Sequence, residues 1–405
     1  MFDKIEDALS YIESKRTKRS LDEFKKTLEK CNINVEQKNI IHIAGTNGKG
    51  STVNYLRAIL NGHGYKVGTF TSPYLISHND RIRVDDIPID DELLLQYINK
   101  YYPIIEEDGL SMFEIDVLIM LDYFNSLDLD YRIIETGMGG RRDKTNVVKA
   151  KISVITNCGK DHMEFLGDSI EQIVYEKTGI IKENQMFITS ETQGALLTLM
   201  QEECDKKGAM MYVVPEHQVM NYPFVFKYRD MEFTLKEQGI FQVMNARLAL
   251  TIASKLIHMN QDICVEAIEK ANWKGRFEPL LYKDKKIFID GAHNVPGIYS
   301  LIQTLQVKKQ EDNAIIFSCL KDKNFDEMID MLINAGHRVY LTSFESERKL
   351  DLSLVTPRAN LFVIERFEDA IERAYSEDWN IVVTGSLQFI STVRKYVTKL
   401  TESYI

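Results

Sequence analysis

HIAGTNGKGS, residues 42–51, follows an apolar run and precedes a segment with apolar residues at helical spacing. The usual phosphate-binding loop has four residues between its glycines and Ser or Thr directly after its lysine. Here two residues separate Gly45 from Gly48, and Gly50 separates Lys49 from Ser51. Glycines let backbone N–H groups approach an anion, and a helix N-terminus adds positive potential. The stretch therefore predicts a nucleotide site rather than an ordinary Gly-rich turn, without separating a kinase, a switch protein and a ligase.

Apolar runs typical of strands alternate with helical patterns on both sides of this loop. Strands are predicted at 39–45, 65–72, 131–137, 151–157 and 186–190, and helices at 112–124 and 169–182. This alternation predicts an α/β fold in which βαβ units build a mainly parallel sheet. We expect an N-terminal P-loop ATPase domain and a smaller C-terminal Rossmann-like α/β domain.

The pattern changes from about residue 211. We expect antiparallel strands there, with a hairpin turn near Arg229–Asp230, then a helix over 241–256 and a second hairpin near Lys283–Lys286. Strands near 313–319, 338–344, 361–366 and 380–385 alternate with helices and form a second α/β unit. The predicted domains are an ATP-binding central domain over 1–277 and a C-terminal α/β domain over 278–405.

Composition excludes several functional classes. The 405 residues are 44% hydrophobic and 27% charged, as in globular proteins, and no run is long and apolar enough to span a membrane. The formal charge of −10 argues against a nucleic-acid binder. The N-terminus lacks an apolar secretory signal, and the five scattered cysteines indicate reduced thiols. We expect a cytoplasmic protein with no membrane or nucleic-acid partner.

Polar residues at three strand ends are candidates for the same site. Glu135 directly follows the apolar run YRII, and a carboxylate there suits Mg²⁺; a flexible loop is the alternative. Ser72 in TSPYL (71–75) could touch metal or phosphate, although a Ser-Pro turn is the favoured interpretation of this stretch taken alone. His162 could be a second metal ligand, but lone histidines are more often structural. Lys177, taken alone, is a solvated helical lysine.

The second half of the chain offers polar residues near the domain boundary. FQVMNARLA contains Asn245, WKGRFE contains Arg276, and IDGAHN contains Asp290 and His293. An Arg placed against transferring phosphoryl charge would suit Arg276, although a surface residue beside a turn is the alternative. Asp290 and His293 end a strand at the sheet edge where open α/β sheets bind ligands.

In this order, these blocks resemble the folylpolyglutamate synthase/dihydrofolate synthase family of the Mur-ligase-like ATP-dependent amide ligases. The matching text is HIAGTNGKGS, TSPYL, FE, ETGMGG, DHMEFLG, EKTGIIK, NARLAL, WKGRFE, DGAHN and VTGSL, and it spans roughly 42–386. GTNGKGS is the normal loop of that family. The resemblance implies that ATP phosphorylates a folate carboxylate and that the amine of L-glutamate then displaces phosphate.

The resemblance also implies roles for individual residues. Lys49, Glu135, His162 and Lys177 are the implied catalytic residues, and Lys177 matches a carbamylated lysine of the family. Two Mg²⁺ sites are implied, one held by Ser51, Ser72 and Glu135 and the other by Glu135 with His162. His293 would lie close to glutamate. The implied ATP contacts are Thr46, Asn47, Gly48, Lys49, Gly50, Ser51, Asn245, Arg276 and Asp290.

Departures from the family pattern cluster on the folate side, which the resemblance assigns to Tyr74, Phe113, Arg142 and Lys144. Tyr74 replaces a usual His, while Arg142 and Lys144 stand where Leu and Ala are frequent; two added cations could disfavour one acceptor or attract a polyanionic one. Phe241 and Asn324 are further departures. We therefore expect a monomeric enzyme that uses ATP, L-glutamate and a reduced folate. The alternatives are a bifunctional or dihydropteroate-specific dihydrofolate synthase, a ligase acting on cell-wall precursors, and a catalytically silent ATP-binding protein.

Overall fold

The structure, a computed structural model of the chain, describes residues 1–403. They fall into two compact units, each described by itself. The N-terminal unit comprises residues 1–216 and 244–271, and the C-terminal unit comprises 217–243 and the described residues from 272 onward.

The N-terminal unit contains a mostly parallel sheet and its covering helices. Its strands are β1 (Ile40–Ala44), β2 (Val67–Phe70), β3 (Ile82–Val84), β4 (Ile87–Pro88), β5 (Tyr131–Glu135), β6 (Ile152–Ile155), β7 (Met186–Thr189) and β8 (Met210–Val213). Its helices are α1 (Ile5–Glu13), α2 (Leu21–Lys30), α3 (Lys49–Gly62), α4 (Asp91–Asp108), α5 (Met112–Asn125), α6 (Met163–Leu166), α7 (Ile170–Thr178), α8 (Gly194–Lys207), α9 (Gln242–Leu256) and α10 (Gln261–Lys270).

The strand order of this sheet brings the predicted site loops to one edge. The order over the described residues is β4-β3-β2-β5-β1-β6-β7-β8, with β3 and β4 antiparallel and the other strands parallel. The loops that follow β2, β5, β1 and β6 therefore leave neighbouring carboxyl ends, where ligands of open α/β sheets bind. The mainly parallel α/β sheet is confirmed.

Continuous apolar strands explain why this sheet is buried. β1 and β5 are buried along their whole lengths, as expected when both faces of a parallel strand are covered. Ile40 and Phe70 pack in one core cluster with Leu118 and Phe124 of α5. Ser111 caps α5 through a reciprocal contact with Glu114, which fixes where this helix begins.

The C-terminal unit contains a hairpin and a second sheet. Its strands are β9 (Phe224–Tyr228), β10 (Met231–Leu235), β11 (Glu278–Tyr282), β12 (Lys285–Ile289), β13 (Asn313–Phe317), β14 (Arg338–Ser343), β15 (Leu361–Arg366) and β16 (Asn380–Thr384), and its helices are α11 (Val295–Val307), α12 (Phe325–Asn334), α13 (Phe367–Ser376) and α14 (Leu387–Ser403). The described sheet order is β11-β12-β16-β13-β14-β15; β11 is antiparallel to β12, and the other pairs are parallel.

Two features differ from the expectations drawn from the sequence. The strand near residue 211 is not antiparallel: β8 pairs in parallel with β7, and only β9 and β10 form the expected hairpin. The division also differs from a single boundary at 277/278, because residues 217–243 belong to the C-terminal unit. Their contacts explain this, since the Ile240 N–H donates to Thr304 Oγ1 at 3.0 Å and Lys286 contacts Glu237. The functional domain assignment stays a prediction.

Candidate active site

The phosphate loop connects β1 to α3, as predicted, and its backbone requires glycine at two positions. Gly48 caps α3 with φ 84°, and Gly45 has φ 151°. A Cβ at Gly45 would lie 1.8 Å from Thr156 Oγ1, and one at Gly48 would lie 2.3 Å from Asn245 Oδ1. The shortened glycine spacing therefore fits a loop held closely against β6 and α9. Asn245, a predicted ATP contact, lies directly against Gly48.

Hydrogen bonds from the segment after β6 hold the first half of this loop. The Thr46 N–H donates to Asn157 O at 2.9 Å, and the Asn47 N–H donates to Asn157 Oδ1 at 3.0 Å. Thr156 Oγ1 donates to Asn47 O at 2.6 Å. The following residues, Lys49 to Ser51, form the first turn of α3, whose N–H groups have no acceptor within the helix. This turn is the part of the loop suited to an anion.

Lys49 and Glu135 approach each other beside the phosphate loop. Lys49 Nζ lies 3.8 Å from Glu135 Oε1 and donates to Gly45 O at 3.2 Å. Glu135 ends β5 and is 3% exposed, and its Oε2 accepts the Ser72 N–H at 3.2 Å. The structure thus brings together a lysine, a carboxylate and the TSPYL loop (residues 71–75).

The oxygen atoms at this edge fit a hard divalent cation. Ser72 Oγ is buried and, among the described residues, has no hydrogen-bond partner. Leaving a buried hydroxyl unsatisfied costs about 1–3 kcal/mol, so such an atom needs an explanation, and a ligand is one. Ser72 and the Glu135 carboxylate offer the oxygen ligands that Mg²⁺ takes, and Ser51, 2% exposed on α3, offers another hydroxyl.

His162 has a different environment from that of Glu135. It is the N-cap of α6 with φ 51°, its side chain is 40% exposed, and its Nε2 lies 3.9 Å from Asp161 Oδ2. Over residues 1–403, no group of three or more His, Cys, Asp or Glu side chains is arranged to hold a metal ion. A second metal site that uses His162 stays a prediction.

Lys177 is a buried cation and not the solvated residue that its sequence context alone indicates. It lies on α7, is 3% exposed, and donates from Nζ to Gly45 O at 2.9 Å. Burial, helped by the nearby charge of Lys49, lowers the pKa of Lys177 to about 8. About a tenth of the amine is therefore unprotonated and nucleophilic at pH 7, far more than for an ordinary lysine.

The cations predicted on the folate side make internal contacts. Lys144 Nζ lies 3.2 Å from Glu114 Oε1 and donates to Ser20 O at 3.0 Å. Arg142 Nε lies 3.1 Å from Glu176 Oε1, although the Arg142 side chain remains 68% exposed. Phe113 lies so close to Gly137 that a Cβ there would be 2.6 Å from its ring. Whether these residues touch an acceptor stays a prediction.

Tyr74 belongs to a cluster that the sequence did not reveal. Its hydroxyl donates to Glu13 Oε1 at 2.8 Å, and Glu13 also contacts His78, which in turn contacts Asp116. Glu13 and His78 are 65 residues apart in the chain, so no short sequence motif contains both of them. The only available signal was that His78 follows TSPYL closely.

The polar residues predicted in the C-terminal unit converge after β12. Asp290 accepts the N–H groups of Phe277 at 2.8 Å and Ala292 at 2.9 Å. Burial raises the pKa of Asp290, opposed by nearby Arg276. Arg276 Nη1 and His293 Nδ1 both donate to Gly291 O, at 3.3 Å and 2.8 Å. Asp290, Arg276 and His293 are thus grouped at the carboxyl edge of this sheet.

Comparison with known proteins identifies the family. Residues 43–253 match the Mur ligase middle domain, and residues 275–387 match the Mur ligase glutamate ligase domain. The chain is 34% identical to the dihydrofolate synthase/folylpolyglutamate synthase of Bacillus subtilis strain 168, over 98% of this chain and 99% of that protein. The chain belongs to the dihydrofolate synthase/folylpolyglutamate synthase family. The predicted resemblance is therefore confirmed, and the chain is an ATP-dependent ligase of the Mur type.

Solved structures of this family share the fold. The folylpolyglutamate synthase of Thermotoga maritima is 32% identical and superimposes with a TM-score of 0.80, over 97% of this chain and 96% of that one. The Mycobacterium tuberculosis folylpolyglutamate synthase, solved with ADP and AMPPCP, is 25% identical with a TM-score of 0.87, over 97% of this chain and 99% of that one.

No helix within the described part of the chain has the length and apolar character needed to cross a membrane.

Proposed function

We propose that this ligase joins L-glutamate to a carboxylate of a reduced folate, with Mg-ATP as the energy source. The observation that carries the proposal is the convergence of Lys49, Glu135 and the unsatisfied Ser72 hydroxyl beside the phosphate loop. Relatives that match nearly the whole chain are named for this chemistry. The products are the extended folate, ADP and phosphate.

The reaction has two steps. A folate carboxylate oxygen attacks the γ-phosphorus of ATP, ADP leaves, and an acyl phosphate forms. The unprotonated amine of glutamate then attacks the acyl carbon, and the carbon–oxygen bond to phosphate breaks. Both steps redistribute negative charge over phosphoryl and carbonyl oxygens, so fixed positive charge and N–H dipoles lower both barriers.

Different residues at the phosphate loop are assigned to stabilising this negative charge. The ammonium of Lys49 neutralises the outer phosphates, and the N–H groups of Gly48, Gly50 and Ser51 orient them. We also assign Thr46 and Asn47 to ATP binding, although their own N–H groups donate to Asn157. Ser51, Ser72 and Glu135 would hold one Mg²⁺ through their oxygens, and His162 with Glu135 would hold a second ion; metal bound there would supply further charge neutralisation. We assign Asn245, Arg276 and Asp290 to ATP binding and His293 to glutamate.

Lys177 is proposed to be carbamylated. Its unprotonated amine attacks carbon dioxide, and loss of a proton leaves a carbamate, which changes a buried cation into an anion beside the phosphate loop. The low pKa and the burial of Lys177 support this assignment. Intact mass measurement in bicarbonate buffer should show the added carboxyl mass, and Lys177→Arg should lose it. An unmodified wild-type lysine in fully active enzyme would contradict the assignment.

The ligase proposal is tested by incubating the protein with Mg-ATP, tetrahydrofolate and labelled L-glutamate. Label should enter the folate, with ADP released in step, and Glu135→Gln should form product far more slowly than the wild type. ATP binding by folded protein without acceptor-stimulated ADP release would favour the silent ATP-binding alternative. ADP release stimulated by UDP-muramyl substrates instead would favour a cell-wall ligase.

Dihydropteroate is the second candidate acceptor. The Bacillus subtilis relative carries both activities in its name, whereas the Thermotoga maritima relative is named for folylpolyglutamate synthesis alone. Comparing ADP release with dihydropteroate and with tetrahydrofolate decides between a bifunctional and a single-function enzyme.

A further inference from the structure

A buried ionic cluster lies next to the TSPYL loop, and the chemistry described above uses none of its charges. His78 is at its centre: Nδ1 lies 3.0 Å from Glu13 Oε1, and Nε2 lies 2.7 Å from Asp116 Oδ1. Carboxylates only accept hydrogen bonds, so an imidazole between two of them must donate from both nitrogens. The geometry therefore requires the doubly protonated, cationic ring.

The electrostatics agree with this geometry. Burial is the largest single influence and lowers the pKa of His78, but Asp116 and Glu13 together outweigh it and raise the pKa to about 9. The hydrogen bond from His78 is in turn the largest influence that lowers the pKa of Glu13. Arg81 completes the cluster, with Nε 3.5 Å from Asp116 Oδ2. Two cations thus balance two carboxylates in a space where His78, Arg81 and Asp116 are each at least nine-tenths buried.

The cluster joins separate elements to the loop. Glu13 is the last residue of α1 and Asp116 lies on α5, whereas His78 and Arg81 lie on the single helical turn His78–Arg81. Glu13 accepts hydrogen bonds from both His78 and Tyr74, so the position of Tyr74 depends on the carboxylate that His78 holds. The Arg81 guanidinium lies 5.4 Å from the centre of the Tyr74 ring.

The two ends of the loop are fixed by other contacts. At one end, the Thr71 N–H donates to Arg81 O at 2.9 Å, and the Ser72 N–H donates to Glu135. At the other end, Asp80 Oδ2 accepts the N–H groups of Ile76 at 3.1 Å and Ser77 at 3.2 Å. The Glu13 bridge therefore acts on the middle of the loop, where Tyr74 projects.

We propose that His78 is a positioning residue for the folate acceptor, acting through Glu13 to hold Tyr74 in place. The proposal rests on the function given above and on the folate-side position that the family resemblance predicts for Tyr74. The proposal assigns two residues of one loop to different substrates. Ser72 contributes to the nucleotide site through Glu135, whereas Tyr74 contributes to the acceptor site and is held by Glu13 and His78. Loss of the imidazolium should weaken acceptor binding without weakening ATP binding.

The test is a kinetic comparison of His78→Gln with His258→Gln, whose histidine is exposed on the same unit. Gln at position 78 keeps a polar side chain but removes the charge. We expect the KM for tetrahydrofolate to rise about tenfold, because misplacing a substrate contact loses binding in the productive geometry. The KM for ATP should change less than about twofold, and His258→Gln should match the wild type in both constants.

A double-mutant cycle shows whether His78 acts through Tyr74. Tyr74→Phe removes the hydroxyl that Glu13 holds, so adding His78→Gln to Tyr74→Phe should raise the KM for tetrahydrofolate by less than about threefold more. Glu13→Gln, at a more exposed position, should reproduce the acceptor-specific loss and replaces His78→Gln if that variant does not fold. Full additivity of the two substitutions would overturn the route through Tyr74.

The outcomes separate this proposal from the function on which it rests. If wild-type protein does not glutamylate tetrahydrofolate, the proposed function fails. If wild-type protein does so, and folded His78→Gln and Glu13→Gln keep the wild-type KM for tetrahydrofolate, the function stands and the positioning role is overturned. Equal rises in the KM for ATP and for tetrahydrofolate would also overturn it, because they indicate a general structural role.

Discussion

The phosphate-loop side and the predicted acceptor side of the N-terminal unit each carry a partly buried lysine, but these two lysines contact different partners. Lys49 lies 3.8 Å from Glu135 and otherwise donates to backbone carbonyls of its own loop. Lys144 lies 3.2 Å from the fully buried Glu114, which also contacts Arg19 at 3.3 Å. One lysine lies beside an unsatisfied hydroxyl, Ser72 Oγ, whereas the other is already part of an ionic cluster.

This comparison shows that a charged side chain on a loop near the substrate need not contact the substrate, because the protein itself can neutralise the charge. Lys49 and Glu135 lie beside the first turn of α3 and the Ser72 hydroxyl, and these groups suit phosphates and Mg²⁺. Lys144 and Glu114 neutralise each other inside the unit, and Lys144 links the single helical turn of residues 144–147 to the segment before α2. The first pair is therefore suited to chemistry, and the second to stability.

The largest expected effect comes from Glu135→Gln on the phosphate-loop side. It removes the carboxylate that suits Mg²⁺ but keeps a side chain of similar size, so kcat should fall about 10²–10³-fold. ADP release stimulated by tetrahydrofolate measures this loss, with Glu164→Gln at an exposed position as the control. Turnover close to the wild-type rate would remove Glu135 from the chemistry.

Lys144→Ala tests the acceptor side of the comparison and should have an intermediate effect. Glu114 keeps Arg19 but loses a charged hydrogen-bond donor, so the free energy of unfolding should fall by about 2 kcal/mol. The KM for tetrahydrofolate should change less than about threefold, because the ammonium is committed to Glu114. Urea unfolding and steady-state kinetics give the two values.

The matched control is Lys149→Ala, in which the lysine is 76% exposed and lies 4.0 Å from Glu36. It should leave the free energy of unfolding within about 0.5 kcal/mol of the wild-type value. A large rise in the KM of Lys144→Ala for tetrahydrofolate, with unchanged stability, would make Lys144 an acceptor contact and would remove the contrast between the two sides.

The last expected effect, which changes no catalytic constant, is a pH dependence of stability. The folded-state pKa of His78, about 9, exceeds the ordinary value of 6.5, so its contribution to stability is fully present below about pH 6.5 and is lost as pH rises through about 9. The groups that face His78 are Glu13, Asp116, Arg81 and Tyr74. The difference in unfolding free energy between wild type and His78→Gln should therefore shrink between pH 6.5 and pH 9. A difference that stays constant over this range would show that the ring is neutral in the folded state.

Much of the fold was predictable because periodic patterns carry it. Apolar runs such as residues 39–45 and 131–137 correspond to β1 and β5, and the phosphate loop lies between β1 and α3 as the pattern indicates. The parallel pairing of β8 was not predictable, because a short edge strand followed by a hairpin looks antiparallel along the chain. The position of residues 217–243 depends on contacts with the C-terminal unit that no local pattern encodes.

The site was predictable only where a motif fixes the backbone. Glycine spacing and a strand-end carboxylate indicate Lys49 and Glu135, which the structure brings together. The partners of Lys144 and of His78 were not predictable, because Glu114 and Glu13 come from helices distant in sequence. A sequence shows which charges a chain contains, whereas the three-dimensional contacts determine which charges are neutralised.

The central claim, that the carboxylate of the acceptor is phosphorylated beside Lys49 and Glu135, has a direct test. Tetrahydrofolate labelled with heavy oxygen in its carboxylates is incubated with the enzyme, Mg-ATP and L-glutamate, and the released phosphate is analysed by mass spectrometry. An acyl phosphate passes its bridging oxygen to phosphate when the amine of glutamate displaces it, so each phosphate released should carry heavy oxygen from the folate. Glutamylated folate formed together with phosphate that carries no heavy oxygen would contradict the account.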